Sequence, residues 1–183
     1  MPKAQISTSA TGAGAVGISE KQRQGRAVNA VAELLMRKLL VPKIYLEPGN
    51  FGIDVLAVDR AGSGDIHGVR IDQQHAPPAP LGRVQKELYE IVLEHSLTLT
   101  KRSGFHFKYI AVKPPFVDFL SKKNLFAEDG IGRVGIIEIV ESPSAPPEAR
   151  VAVPAERFRV AVAEIQKFDD FQKKTPADME IRG

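Results

Sequence analysis

The chain of 183 residues contains no cysteine and no apolar stretch long enough to cross a bilayer. The missing thiols exclude a disulfide scaffold, a cysteine nucleophile, a zinc ribbon and an iron–sulfur cluster. A bilayer span needs about 18 consecutive apolar residues, so we expect no membrane-spanning segment. The first residues also lack the apolar core of a secretory signal. Because a chain without cysteine suits a reducing compartment, we expect a cytoplasmic protein.

The chain also has little net charge, since 25 lysines and arginines stand against 22 acids, for a formal charge of +3. An excess of this size does not by itself indicate a polyanionic partner. A fold that gathers the basic residues between positions 101 and 123 would nevertheless form one positive surface. These residues are our candidates for contacts with DNA or another nucleic acid: Lys101, Arg102, Lys108, Lys113, Lys122 and Lys123. The alternative is an ordinary solvated lysine face.

Hydrophobic residues make up 43% of the chain and charged residues 26%, which is the composition of a globular domain. Residues 1–19 are rich in Ser, Thr, Gly and Ala and have no apolar period, so we expect a mobile arm. Residues 20–172 are expected to form a single domain, followed by a loose tail over 173–183. The length is that of one domain of ordinary size.

Apolar periodicity predicts a mixed α/β order. The predicted helices are 20–40, 83–99, 116–123 and 154–172, and the predicted strands are 43–47, 53–59, 66–71, 105–112, 130–140 and 151–153. The second strand, IDVLAVD, is nearly continuous in apolar residues, as in a strand covered on both faces. One mixed sheet with helices on its faces is the packing solution that this order favours.

A carboxylate stands at the start of that otherwise apolar second strand. A buried carboxylate such as Asp54 is costly unless it is paired, hydrogen-bonded or bound to a cation. Arg70 and Asp72 lie two residues apart on the next strand and therefore share a face. Hairpin pairing would bring that face beside Asp54. Asp54 and Asp72 would then hold Mg²⁺ through oxygen ligands, or Asp54 and Arg70 would form an ion pair without metal.

The segments GIDVLAVD and IHGVRID resemble the core hairpin of the PD-(D/E)XK nuclease superfamily, and GRAVNAVAELL resembles the first helix of its resolvase-like members. That superfamily includes archaeal Holliday-junction resolvases and many restriction endonucleases. The resemblance covers about residues 20–115. It implies an α/β fold in which a single mixed sheet is flanked by helices around an αβββαβ restriction-endonuclease-like core, with strand and helix additions after it.

The resemblance also assigns roles to individual residues. Asp54 matches the first-strand acid, whereas Arg70, Ile71 and Asp72 fall on the E-x-K motif with the charges of its two ends exchanged. The helix acid of many members would fall near Asn29, which is not acidic. The resemblance therefore implies a nucleic-acid-associated protein with an altered catalytic set, which acts by binding and needs no cofactor.

Two other functions remain open at this point. The first is an active Mg²⁺-dependent endodeoxyribonuclease in which Asp54 and Asp72 hold the metal and Arg70 steadies the scissile phosphate. The second is a protein–protein interaction module on the same scaffold, because a fold does not fix a function. A homodimer is also open.

Overall fold

The computed structural model describes residues 20–39, 42–49, 51–59, 64–74, 83–128, 130–174 and 180–181. The arm expected over residues 1–19 and the proline-rich connection over residues 75–80 lie outside these ranges. None of the helices in the described ranges has the length and apolar character needed to span a bilayer.

The described residues form four helices and seven strands. The helices are α1 (Glu20–Lys38), α2 (Arg83–Lys101), α3 (Pro114–Ser121) and α4 (Val162–Lys174). The strands are β1 (Pro42–Leu46), β2 (Val55–Asp59), β3 (Ile66–Ile71), β4 (Phe107–Val112), β5 (Gly135–Val140), β6 (Glu148–Val153) and β7 (Glu180–Ile181). The fold is α/β with a single mixed sheet flanked by helices, as predicted, and the order from α1 to β4 is αβββαβ.

The sheet has the strand order β6-β5-β4-β3-β2-β1-β7. Strands β1, β2 and β3 pair antiparallel as a meander. Strand β4 pairs parallel with β3, and β5 pairs parallel with β4, because α2 and α3 carry the chain back between them. The start of β2 therefore lies at the same end of the sheet as the ends of β3 and β4.

Both faces of the sheet are covered. Helix α1 packs on one face over a cluster that includes Val31, Val55 and Val69. The opposite face is packed by residues from α2, α3 and α4 over a cluster that includes Leu56 and Ile110. Strand β2 is buried from Val55 to Val58, which explains why its sequence is apolar on both sides of the pleat.

The C-terminal part differs from the sequence prediction. The helix predicted over 154–172 begins only at Val162, because the preceding residues are extended and bond to other segments. The Phe158 amide donates to the His106 carbonyl at 2.8 Å, and the Glu156 amide donates to the Arg133 carbonyl at 3.0 Å. The tail expected over 173–183 is not loose where the structure describes it, since α4 continues to Lys174 and β7 pairs antiparallel with β1. A local apolar pattern does not report these long-range pairings.

Two glycines generate opposite predictions for stability. A Cβ at Gly68 in β3 would lie 2.8 Å from a ring carbon of buried Phe105, so Gly68→Ala must displace that ring. We expect this variant to lose about 1–3 kcal/mol of unfolding free energy. Gly25 in α1 is exposed and a Cβ there meets nothing within 4 Å. Gly25→Ala should gain about 0.5–1 kcal/mol through helix propensity.

Urea unfolding of the parent and both variants measures these two changes. A Gly68→Ala variant as stable as the parent would contradict the close packing of Phe105 on β3, whereas a destabilised Gly25→Ala variant would contradict the exposed helical position.

Candidate functional site

Charged and polar side chains converge where β2 begins and β3 ends. We call this group the charged edge, and its members are Gln24, Asp54, Arg70, Asp72 and His95. The register places Val55 opposite Val69, and the Asp54 amide donates to the Val69 carbonyl at 2.9 Å. Asp54 therefore stands directly beside Arg70. The hairpin brings this pair together as the sequence predicted.

Asp54 is half-buried and its carboxylate accepts a backbone hydrogen bond. Oδ2 lies 2.6 Å from the Ile71 amide nitrogen, and Oδ1 lies 3.5 Å from Nε2 of Gln24. Burial raises the pKa of Asp54 above that of an ordinary aspartate, while the Ile71 hydrogen bond and the charge of Arg70 lower it. The raised pKa makes Asp54 readier than an ordinary aspartate to hold a proton.

Asp72 is held on both of its oxygens. Oδ1 accepts a hydrogen bond from the Gln74 amide at 3.1 Å, and Oδ2 lies 2.7 Å from Nδ1 of His95 on α2. The Asp72 side chain is only 3% exposed, whereas that of His95 is 30% exposed. The pair thus ties the end of β3 to α2. Sequence reasoning missed it, because a histidine on the apolar stripe of a helix carries no sign of a partner 23 residues away.

Helix α1 contributes Gln24 to the charged edge. This residue lies five positions earlier in the sequence than Asn29, the position that the resemblance indicated. Asn29 is exposed on α1, and it is Gln24 that approaches Asp54. The helix therefore supplies a neutral amide at the site.

The charged edge does not fit the Mg²⁺ ion that the alternative of an active endonuclease requires. Magnesium requires near-octahedral oxygen ligation, but both oxygens of Asp72 are engaged and Oδ2 of Asp54 is bonded to the Ile71 amide. The guanidinium of Arg70 adds a positive charge beside these oxygens. Across the described ranges, no group of three or more His, Cys, Asp or Glu side chains is arranged to hold a metal ion.

Three of the six candidate basic residues have structural contacts. Lys113 is buried and pairs with Glu141 at 3.3 Å, just beyond the end of β4. Lys108 is buried and donates to the Thr100 carbonyl at 3.0 Å. Nη1 of Arg102 donates to a loop carbonyl at 3.0 Å. These side chains hold elements of the fold together.

The other three candidates are exposed. Lys101, at the end of α2, lies 3.7 Å from Glu128. Lys122 and Lys123 follow α3, and Nζ of Lys123 lies 4.9 Å from a ring centroid of that helix. The structure therefore divides the six residues between buried and exposed positions: Lys101, Arg102 and Lys108 line one cavity, and Lys113, Lys122 and Lys123 lie outside its lining.

A second cluster of ionisable side chains lies at the opposite end of β3. Asp65 accepts hydrogen bonds from Nε and Nη2 of Arg157 at 3.1 and 2.8 Å. Nδ1 of His106 accepts the Ile66 amide at 3.0 Å, which places the proton of the neutral ring on Nε2. Burial lowers the pKa of His106. Arg157 comes from the extended segment that was predicted as helix, so its contact with Asp65 could not be predicted from a local pattern.

His67 belongs to the same end of the sheet. Its ring stacks on Phe107 with centroids 4.8 Å apart, and it is 7% exposed. Burial lowers the pKa of His67 from 6.5 to about 4, against the opposing charges of Asp65 and Asp59. The folded chain therefore keeps this imidazole neutral.

No protein-family model matches the chain. No curated protein matches it either. Among solved structures, a protein of unknown function from Silicibacter pomeroyi is similar, at 14% identity and a TM-score of 0.46, over 87% of this chain and 90% of that chain. A likeness at this level carries no argument about function, so the interpretation of the charged edge depends on its own geometry.

The neutral state of His67 predicts a loss of stability in acid. Between pH 6.5 and about 4 the unfolded chain takes up a proton at this residue and the folded chain does not. The free energy of unfolding should therefore fall by about 1.4 kcal/mol for each pH unit, and by about 3 kcal/mol over the window. His67→Phe keeps a stacked ring and removes the titrating group.

Urea unfolding at pH 7 and pH 4.5 measures this effect. We expect the free energy of unfolding of the parent to fall, relative to that of His67→Phe, between pH 7 and pH 4.5. An unchanged difference would show that His67 titrates alike in the folded and unfolded chains.

Proposed function

We propose that the protein binds nucleic acid with a nuclease-like fold and does not cut it, with the charged edge contacting phosphate. The αβββαβ order and the position of Asp54 at the start of β2 support the likeness to the PD-(D/E)XK core. The composition of the edge favours binding over cleavage.

The observation that carries this proposal is the state of the groups at the edge. Helix α1 supplies the amide of Gln24, β3 supplies Arg70 where a metal-binding acid is expected, and Asp72 is already bonded to His95 and to the Gln74 amide. Only Asp54 keeps the expected chemistry, and its pKa is raised by burial. These side chains leave Arg70 as the positive charge beside the carboxyl groups of the edge, in the place where a divalent cation would otherwise bind.

The same set suits a phosphate. A guanidinium presents paired N–H donors that match phosphate oxygens, and Arg70 is half-buried and so restricted in its orientation. Lys21 and Arg23 are exposed on the first turns of α1, close in sequence to Gln24 at the edge. Contacts of this kind give an affinity that depends on phosphate neutralisation and therefore on salt.

Fluorescence anisotropy with labelled duplex DNA, single-stranded DNA and RNA tests the binding. We expect affinity to fall steeply as salt increases. Arg70→Gln should weaken binding about tenfold, because charge-assisted hydrogen bonds to phosphate are lost. Arg37→Gln is the matched control, since Arg37 is 72% exposed at the far end of α1 and should leave binding unchanged.

Incubation of plasmid and branched DNA with Mg²⁺ or Mn²⁺ tests the absence of cleavage. We expect intact DNA. Metal-dependent cleavage that Asp54→Ala abolishes would overturn the proposal in favour of an active endonuclease. A chain that binds none of the nucleic acids at moderate salt would overturn it in favour of a protein-interaction module.

A further inference from the structure

A polar cavity of about 350 Å³ lies at the C-terminal end of α2. Its walls come from the end of α2, from β4, from the loop after α3 and from the extended segment before α4. Four basic residues and one acid line it: Lys101, Arg102, Lys108, Arg159 and Glu128. A concave wall with this excess of positive charge concentrates anions.

Lys108 fixes a positive charge inside this wall. It is only 4% exposed, donates to the Thr100 carbonyl at 3.0 Å and has its Nζ 3.8 Å from the centre of the Phe158 ring. An ammonium group is costly to bury unless such partners hold it. Here a helix-terminal carbonyl and an aromatic face hold the charge in place.

Arg102 fixes a second charge and carries an unsatisfied donor. Nη1 donates to the Phe51 carbonyl at 3.0 Å. The guanidinium packs against Gly52, where a Cβ would lie 2.4 Å from Nη1. The Nε atom is buried and has no hydrogen-bond partner within the described part of the chain. The hydrogen bond to Phe51 and the packing on Gly52 hold the guanidinium in place, so its positive charge stays fixed at the cavity wall.

The remaining basic groups are accessible from solvent. Arg159 is exposed, and the Lys101 side chain is 73% exposed although it lies 3.7 Å from Glu128. Ala127 and Ile131 add apolar wall to the same cavity. The cavity thus combines two charges held by neighbouring groups, two exposed charges and a small apolar surface.

We propose that this cavity binds a phosphate-bearing ligand of about mononucleotide size. The cavity volume falls within the range of small-molecule sites, about 300–1,000 Å³, and guanidinium and ammonium groups are the usual partners of phosphate. The phosphate has two sources, a free nucleotide or the terminal nucleotide of a strand. The second source rests on the proposed nucleic-acid function.

Calorimetric titration with a nucleoside monophosphate and with its unphosphorylated nucleoside tests the phosphate requirement. Anisotropy with the same oligonucleotide bearing either a 5′-phosphate or a 5′-hydroxyl tests the strand end. We expect the phosphorylated member of at least one pair to bind at least tenfold more tightly. Arg159→Gln and Lys101→Gln should each reduce that preference, and Arg37→Gln is the matched control that should leave it unchanged.

Lys108→Met is a weaker test, because the loss of a buried contact can unfold the chain. The variants at the exposed positions, Arg159→Gln and Lys101→Gln, therefore decide whether the cavity binds the phosphate. If phosphate adds nothing in either pair, the inference is overturned, even when circular single-stranded DNA binds as the proposed function requires. If the free monophosphate binds and no strand does, the cavity proposal stands with a free nucleotide as ligand while the nucleic-acid proposal fails. Monophosphate binding that Arg70→Gln weakens and that Arg159→Gln and Lys101→Gln leave unchanged would place the phosphate at the charged edge and overturn the cavity proposal.

Discussion

The pairing of β3 with β2 on one side and β4 on the other determines where the ionisable groups at the two ends of β3 lie. The antiparallel register with β2 sets Asp54 beside Arg70. The parallel pairing with β4 requires the α2 crossover, and that crossover carries His95 over the end of β3 to Asp72. The other end of β3 holds His67 at the Asp65–Arg157 pair. The charged edge and the group around Asp65 and His67 therefore lie at opposite ends of β3.

Desolvation acts in opposite senses at these two ends. At the charged edge it raises the pKa of a carboxyl group, Asp54, and at the hairpin end it lowers the pKa of His67 and His106. In each case burial favours the neutral form. At the charged edge the positive charge of Arg70 opposes this effect of burial on Asp54.

Local pattern was enough to predict α1, α2 and the β2–β3 hairpin, because each has a long apolar period. It also predicted that Asp54 and Arg70 would be neighbours, since hairpin register follows from alternation. The contacts of His95 with Asp72 and of Arg157 with Asp65 depend on how a helix or an extended segment crosses the sheet, which no local period encodes. The same is true of Gln24, because the rotation of α1 over the sheet decides which of its residues approaches β2.

The two outermost strands determine how the sheet ends. Unpaired backbone groups on a sheet margin can recruit a strand from another copy and start aggregation. Strand β7 is only two residues long, and β6 carries Glu148 and Arg150 among its exposed positions. A short margin on one side and a charged margin on the other give a second copy little unpaired edge along which to add a strand.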